Sequence, residues 1–535
     1  MLTGTGAPLI WSVLLAAALV MVLLVLWWSG VPFAAARARL QERFLWGVPW
    51  GTIVVVAGLF LVYLVVQRGL WHWDSPVVVA YTAVSMWDPV GWGFAGFSHA
   101  SPGHLRGNVT TTLVIAPIVE WIWGHYPRDR SPSWARRPGV RAIVLFPLGI
   151  AGIGVIAALF SWGPVIGFSV AAYALIGIAL VHYPVLTLLA LVARSAVRLV
   201  WRTVTDPVQI SRASVQVVEP SWYGSAVQGH LVGLLLGVLV GIFVLRRTPR
   251  SNPSIDRVFM ATTLVSAYLS LWAIWWILGP GQYILFRSAG VILVLLVALL
   301  VALSISDRDV RGWPVNHVAI GIILIAVVGM GIIGIGLNLA VSEPPPQEPA
   351  HTVEDYEIYY GENVPDGMVN IVDLSAFGLT TDVETSGVIV TSDERQVWRQ
   401  TVSASELATH GTQRFHVGGP GWSEPVYAIR QGWQPIGNDP VYQVWIGDGD
   451  SVHPAFTSDE RMAQTIVEGH SFIIGVTEES FSVTVEHNGD RQTVDIPETD
   501  SGVDVHDIEL YRAGNELYAV SDGTVVPIAS RERYN

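Results

Sequence analysis

A serine hydroxyl attacks a carbonyl only when a base takes its proton and hydrogen-bond donors meet the oxyanion that forms. Residues of these types sit in strongly apolar segments of this chain, where every polar group is costly and calls for a partner. The run His99-Ala100-Ser101-Pro102-Gly103-His104-Leu105-Arg106-Gly107-Asn108 enters one such segment. His104 and Asn108 lie four apart, on one helix face. Two donors aimed the same way near a helix end suit an oxyanion hole; glue between helices is the alternative. A second run, Gly163-Pro164-Val165-Ile166-Gly167-Phe168-Ser169-Val170-Ala171-Ala172-Tyr173, opens another apolar segment. At a helix start Ser169 is approachable by a substrate backbone past Gly167, and its own amide, spared from helical bonding, is a third donor. The ordinary alternative is a serine that bonds back to its own helix. Tyr173 follows one turn on, on the same face. The third run is Gly229-His230-Leu231-Val232-Gly233, continued by Gly237 and Gly241. Small residues in a stripe let helix backbones approach closely, and histidine is the usual general base, unless it is buried for structure alone. Glu120 and Gly124 end the segment that carries His104, and a carboxylate there reads as a structural hydrogen-bond hub.

In this order, the motifs H-x-x-x-x-H-x-x-x-N, E-x-x-x-G, G-x-S and G-H-x-x-G resemble the rhomboid intramembrane proteases, over Val48 to Leu245. The resemblance implies that Ser169 is the nucleophile and His230 its general base, in a dyad without an acidic third member. It implies an oxyanion hole of His104, Asn108 and the Ser169 amide, with Tyr173 packed on His230, and His99, Glu120 and Gly167 in support. The expected activity is serine endopeptidase cleavage in or near transmembrane segments, of single-pass substrates with small residues and helix breakers near the cut. Two departures stand out. Val170 occupies a place where the family usually has glycine and could crowd the oxyanion hole or the substrate chain, and Gly93 follows Trp92 where the family often has arginine. Val170 leaves open a catalytically inactive rhomboid-like protein that binds membrane clients. A transporter or receptor is the third reading, although no inverted repeat or broken-helix pair supports it.

The elements that must position these residues are membrane helices. With 51% hydrophobic and 14% charged residues, the chain is too apolar for a water-soluble protein of 535 residues. A bilayer-spanning helix needs about 20 apolar residues. Ten stretches qualify or nearly do: Leu9–Trp28, Val48–Val66, His104–Trp123, Val140–Phe160, Ile166–Val181, Val185–Val200, Ala226–Leu245, Val258–Leu278, Ser288–Ser304 and Val318–Val341. His182-Tyr183-Pro184 between the fifth and sixth predicts a tight helical hairpin. The first stretch lacks the positive flank of a secretory signal and reads as a membrane helix. The fold expected is an all-α polytopic membrane protein, with a six-helix rhomboid-like core and about four extra helices, followed by a mainly β domain. The divisions expected are an extra helix and loop over 1–46, the protease core over 47–250, three further helices over 251–342 and the β domain over 343–535.

Charge divides the chain at the same place. About 33 acidic residues and 9 arginines follow Val341, against about 10 and 21 before it. Arg37, Arg39 and Arg43, the group from Arg128 to Arg141, and the group from Arg246 to Arg257 all fall on one side when crossings are counted, which by the positive-inside rule is the cytoplasm. The amino terminus and the tail are then extracytoplasmic in a multi-pass protein of the cell membrane. The tail starts with the stiff spacer Pro344-Pro345-Pro346, and His487-Asn488-Gly489-Asp490 signals a hairpin turn. A substrate-presenting role follows from its expected side, and Asp448-Gly449-Asp450 reads as a loop. The chain has no lysine, and an acidic, lysine-free sequence suits a halophilic archaeon, because acidic surfaces stay hydrated in salt. High genomic GC content accounts for the missing lysine but not for the acidity. Zero cysteine excludes disulfides, thiolate zinc and a cysteine nucleophile. The expected partners are membrane-protein substrates and the lipid bilayer; no cofactor, metal or nucleic acid is expected.

Overall fold

A computed structural model describes residues 7–29, 33–124, 133–205, 208, 220–247, 252–279, 282–310, 312–340, 345, 348–368, 383–477 and 480–534. In the main they form two compact units that part between Val341 and Ser342.

The first unit is helical. Helices α1 (Ala7–Trp28) and α2 (Phe33–Arg43) lead to α3 (Trp50–Leu61), which continues as a π turn through Val62–Val66. The short α4 (Pro89–Ala95) precedes α5 (Pro102–Trp123). Helix α6 (Pro138–Val140) passes through a π turn into α7 (Phe146–Phe160), so that Pro138–Phe160 is one span. Then come α8 (Ser169–His182), α9 (Pro184–Thr205) and α10 (Val227–Leu245). Among the described residues five helices are long and apolar enough to cross a membrane: Pro138–Phe160, α9, α10, α12 (Arg287–Ser304) and α13 (Val315–Asn338). Parts of α1, α3 with its π turn, and α8 are apolar but shorter. Large apolar side chains such as Leu23, Leu148, Leu189 and Ile325 are exposed on these helices, as a lipid solvent allows.

The stretch Val258–Leu278, expected to be one membrane helix, is divided. Helix α11 (Ile255–Tyr268) stops after 14 residues, Ser270 takes a φ of 60°, and β1 (Trp275–Gly279) pairs antiparallel with β2 (Gln282–Leu285). Apolarity is common to helix and strand; the aromatic and β-branched run Trp275-Trp276-Ile277 before Gly279-Pro280-Gly281 favours the strand. A second small pair, β3 (Asp309–Val310) and β4 (Trp313–Pro314), lies between α12 and α13. The expected hairpin between α8 and α9 is present. Tyr183, at φ −140° and ψ 64°, ends α8 directly before Pro184, as a residue preceding proline is disposed to do.

Helix α8 is the centre of the bundle, with every residue from Val170 to His182 buried. It packs on α10 almost backbone to backbone. A Cβ on Gly237 would lie 1.9 Å from the Ala174 carbonyl oxygen, and one on Gly177 would lie 2.2 Å from that of Leu234. Only glycine permits this approach, which brings side chains on the two helices within reach of each other.

The second unit is β-rich. Strands β5 (His351–Val353), β6 (Tyr356–Pro365), β7 (Glu384–Ser392) and β8 (Val397–Ser403) form one antiparallel sheet, followed by α14 (Ala404–His410). An eight-stranded sheet contains β9 (Thr412–Gly419), β10 (Trp422–Pro435), β11 (Val441–Gly447), β12 (Val452–Thr457), β17 (Ser501–Val505), β18 (Ile508–Ala513), β19 (Glu516–Ser521) and β20 (Thr524–Arg531). A four-stranded sheet of β13 (Arg461–Val467), β14 (His470–Val476), β15 (Phe481–His487) and β16 (Asp490–Asp495) shares a core with it through Phe472, Val483, Leu510 and Leu517. Between β15 and β16, Asn488 and Gly489 have φ of 49° and 86°, the two positive values of a tight hairpin turn.

Candidate active site

Helix α5 is anchored at its start by Ser101, whose Oγ accepts the His104 amide at 3.2 Å, the bond of an N-terminal cap. From there His104, Gly107, Asn108 and Thr111 share one face and line a cavity of about 350 Å³. Helix α8 faces the same cavity with Ser169, Ala172, Tyr173 and Ile176, again at helical spacing. His230 from α10 and Arg194 from α9 complete the polar lining, with residues 223–226 just before α10.

Between α5 and α8 lies Gly167, at φ +123°. Its amide donates to the Ala95 carbonyl at 2.8 Å. A Cβ there would lie 2.5 Å from His104 Nε2 and 3.4 Å from Asn108 Nδ2. The site therefore needs glycine twice over, for its backbone angle and for the room it leaves to the two donors. Asn108 Nδ2 is buried and has no hydrogen-bond partner among the described residues. A buried amide left open in this way has the form of a donor waiting for an acceptor. Ser169 is the first residue of α8, so its N–H has no acceptor within the helix.

Ser169 Oγ lies 2.9 Å from His230 Nε2. The two residues belong to the helices held together by Gly177 and Gly237, and the same close approach sets this distance. The His230 ring is stacked on Tyr173, with centroids 4.3 Å apart and planes 4° from parallel. The Tyr173 hydroxyl donates in turn to the Leu269 carbonyl at 2.6 Å. Such an arrangement holds an imidazole in one plane, facing a hydroxyl whose proton it can accept.

The other expected residues lie outside the cavity. His99 is fully buried, its backbone amide and carbonyl both bonded by the Gln67 side chain at 2.7 and 2.9 Å, and its ring stands edge-on to His104 with centroids 5.2 Å apart. Glu120 accepts the amides of Gly51 and Thr52 at 3.1 and 2.9 Å and the Thr52 hydroxyl at 3.0 Å; it closes the start of α3. Gly124 passes the backbone of Arg43, whose carbonyl would be 2.4 Å from an added Cβ.

Val170 corrects an expectation. Its side chain is buried against α10, with Cγ1 2.9 Å from where a Cβ of Gly233 would be and Cγ2 3.5 Å from that of Gly229. It does not line the cavity, because successive residues on a helix point about 100° apart and Ser169 takes the cavity side. Arg194 and Leu269 are among the lining groups that escaped the motif reading. Arg194 stands inside the apolar stretch Val185–Val200, and a cation in such a stretch is itself the signal that would have found it. Leu269 carried no signal, since its part is played by a backbone carbonyl.

Residues 86–247 match a family model described as Rhomboid domain. No curated protein and no solved structure matches the chain closely enough to add a relative.

Proposed function

Since residues 86–247 match the Rhomboid domain, we propose that the chain is an intramembrane serine endopeptidase of the rhomboid family with Ser169 and His230 as its catalytic dyad. The observation that carries this reading is the 2.9 Å contact between Ser169 Oγ and His230 Nε2 in a cavity that also holds the open Asn108 amide. Ser169 Oγ attacks the scissile carbonyl as its proton passes to His230 Nε2. The tetrahedral oxyanion is met by His104, Asn108 and the Ser169 N–H. His230 then gives the proton to the leaving amine, and an acyl-enzyme remains on Ser169. Water, deprotonated by His230, attacks that ester and releases the second product. Tyr173 keeps the ring in plane throughout, a task that an acidic third member performs in other serine proteases.

The substrates of this reading are membrane proteins, single-pass ones with small and helix-breaking residues near the cut. The acidic β-rich tail lies outside the cell, presents substrates and keeps its surface hydrated in a halophilic host. The rival of a silent client-binding protein rested on Val170 beside the nucleophile, and that side chain packs against Gly229 and Gly233 instead. The test is cleavage of a tagged model membrane protein by wild type and by Ser169→Ala, alongside labelling by a fluorophosphonate. Wild type should cut and be labelled, and the variant should do neither. Equal cleavage by both proteins would remove Ser169 from the mechanism.

A further inference from the structure

Arg194 belongs to the cavity but has no part in the steps just described. It sits on α9, in an apolar stretch, where a guanidinium is expensive unless charge and hydrogen bonds compensate it. Its compensation is incomplete. Nη1 donates to Thr111 Oγ1 at 2.8 Å, and that hydroxyl is itself committed to the Gly107 carbonyl. The guanidinium also meets Tyr268, 5.5 Å from the ring centroid and bonded to its hydroxyl. Nε is buried with no hydrogen-bond partner among the described residues. Neither of these partners is a carboxylate, and among the described residues no carboxylate pairs with Arg194 or with Arg198, one turn on. Arg198 lies close by, with Nη2 3.8 Å from where a Cβ of Gly107 would be. Among the described residues, the cavity that holds Ser169 thus has one lining cation on its α9 side, Arg194, and no lining carboxylate to match it.

Resting on the protease reading, the geometry points to Arg194 as a specificity-determining residue that receives a carboxylate of the substrate, an Asp or Glu side chain close to the scissile bond. A planar guanidinium donates to the oxygens of a carboxylate, and among the described residues Nε has no partner to compete for that role. Such an anion would supply the counter-charge that the described residues lack, and the cost of burying it would be met only when the arginine is present. A lipid phosphate has related chemistry, but a headgroup resident on Arg194 would fill the cavity that the scissile bond must enter. The substrate is therefore the better source.

The experiment uses the full-length chain carrying Ser169→Ala, so that bound peptide is not consumed. Its ligand is a fluorescent transmembrane peptide with Asp, or Asn in its place, at each position near the cut. At the responsive position the Asp peptide should bind about tenfold more tightly or better, and Arg194→Gln should collapse that ratio, with Arg194→Lys between the two. Equal affinity for the Asp and Asn peptides at every position overturns the inference even if Arg194→Gln cannot be purified, and so does a preference that survives in Arg194→Gln. Arg194-dependent binding of phosphatidylglycerol over phosphatidylcholine vesicles, with no difference between peptides, assigns the cation to lipid and likewise overturns it. Binding is read without cleavage. An Arg194-dependent preference in a chain whose wild type never cuts would therefore sink the protease reading and leave standing only the carboxylate-binding role of Arg194.

Discussion

In the proposed reaction a serine hydroxyl becomes reactive through one neighbour, and the position of that neighbour depends on side chains that do no chemistry. Asn108 is the clearest donor to test, because its Nδ2 is buried and open. Asn108→Ala should lower kcat by about 10²- to 10³-fold with little change in KM, since its bond forms only when the oxyanion does; steady-state cleavage of a model substrate measures both. Val170 gives the opposite expectation. Val170→Gly should leave cleavage by the folded enzyme within a few-fold but destabilise it by about 2 to 3 kcal/mol, because it strips a buried side chain and places glycine inside a helix. A large gain in turnover would return Val170 to the cavity. The motifs disclosed that Val170 departs from the family, but not which way it points. Its direction depends on the rotation of α8 against α10, a relation between two helices that no local pattern contains.

At the scale of elements, two contacts set the site. The α8–α10 approach tolerates nothing larger than glycine at Gly237, where a Cβ would sit 1.9 Å from the Ala174 carbonyl oxygen. Gly237→Ala should therefore push the helices apart, cost about 1 to 3 kcal/mol as overpacked sites do, and lower kcat by lengthening the bond between Ser169 and His230. Thermal unfolding in detergent and cleavage rate should fall together. Glu120 separates these effects. Its carboxylate closes the first amides of α3, away from the cavity, so Glu120→Ala leaves buried donors unpaired at about 1 to 3 kcal/mol. It should reduce the amount of folded enzyme while fluorophosphonate labelling per folded molecule holds. The small-residue stripe and the lone carboxylate were both legible in the sequence, since spacing and polarity in an apolar run are local properties. The early end of α11 was not, because hydrophobicity alone does not separate a membrane helix from a helix followed by a strand pair.

For the whole molecule, the two units meet different physical demands, and the acidic one responds to pH. In it Arg395 Nε lies 2.8 Å from Asp355 Oδ2. Burial alone would raise the Asp355 carboxyl, but the bonds from Arg395 and Ser392 outweigh it and hold the group below the ordinary carboxylate range. A depressed acid stabilises the fold above its unfolded pKa, and that contribution disappears as pH falls through the lower folded value. Asp355→Asn should therefore weaken protection of Tyr356–Pro365 at neutral pH and make it less sensitive to acid. Hydrogen exchange, corrected for its intrinsic pH dependence, reads both effects. Deleting the residues after Val341 should narrow or shift substrate range more than it changes hydrolysis of a short peptide. An unchanged range would leave the tail a role in hydration or stability only.

The sequence by itself determined the helical membrane core, the β-rich acidic tail, the tight turn before Pro184 and the residues around Ser169 and His230, because length, apolarity, turn residues and helical spacing act over a few neighbouring positions. Tertiary structure alone decided that Ser169 Oγ and His230 Nε2 stand 2.9 Å apart, that Val170 turns away from them, and that Arg194 faces into their cavity. Each of these depends on how one helix is rotated and pressed against another. That relation is set by packing across the bundle rather than by any stretch of chain.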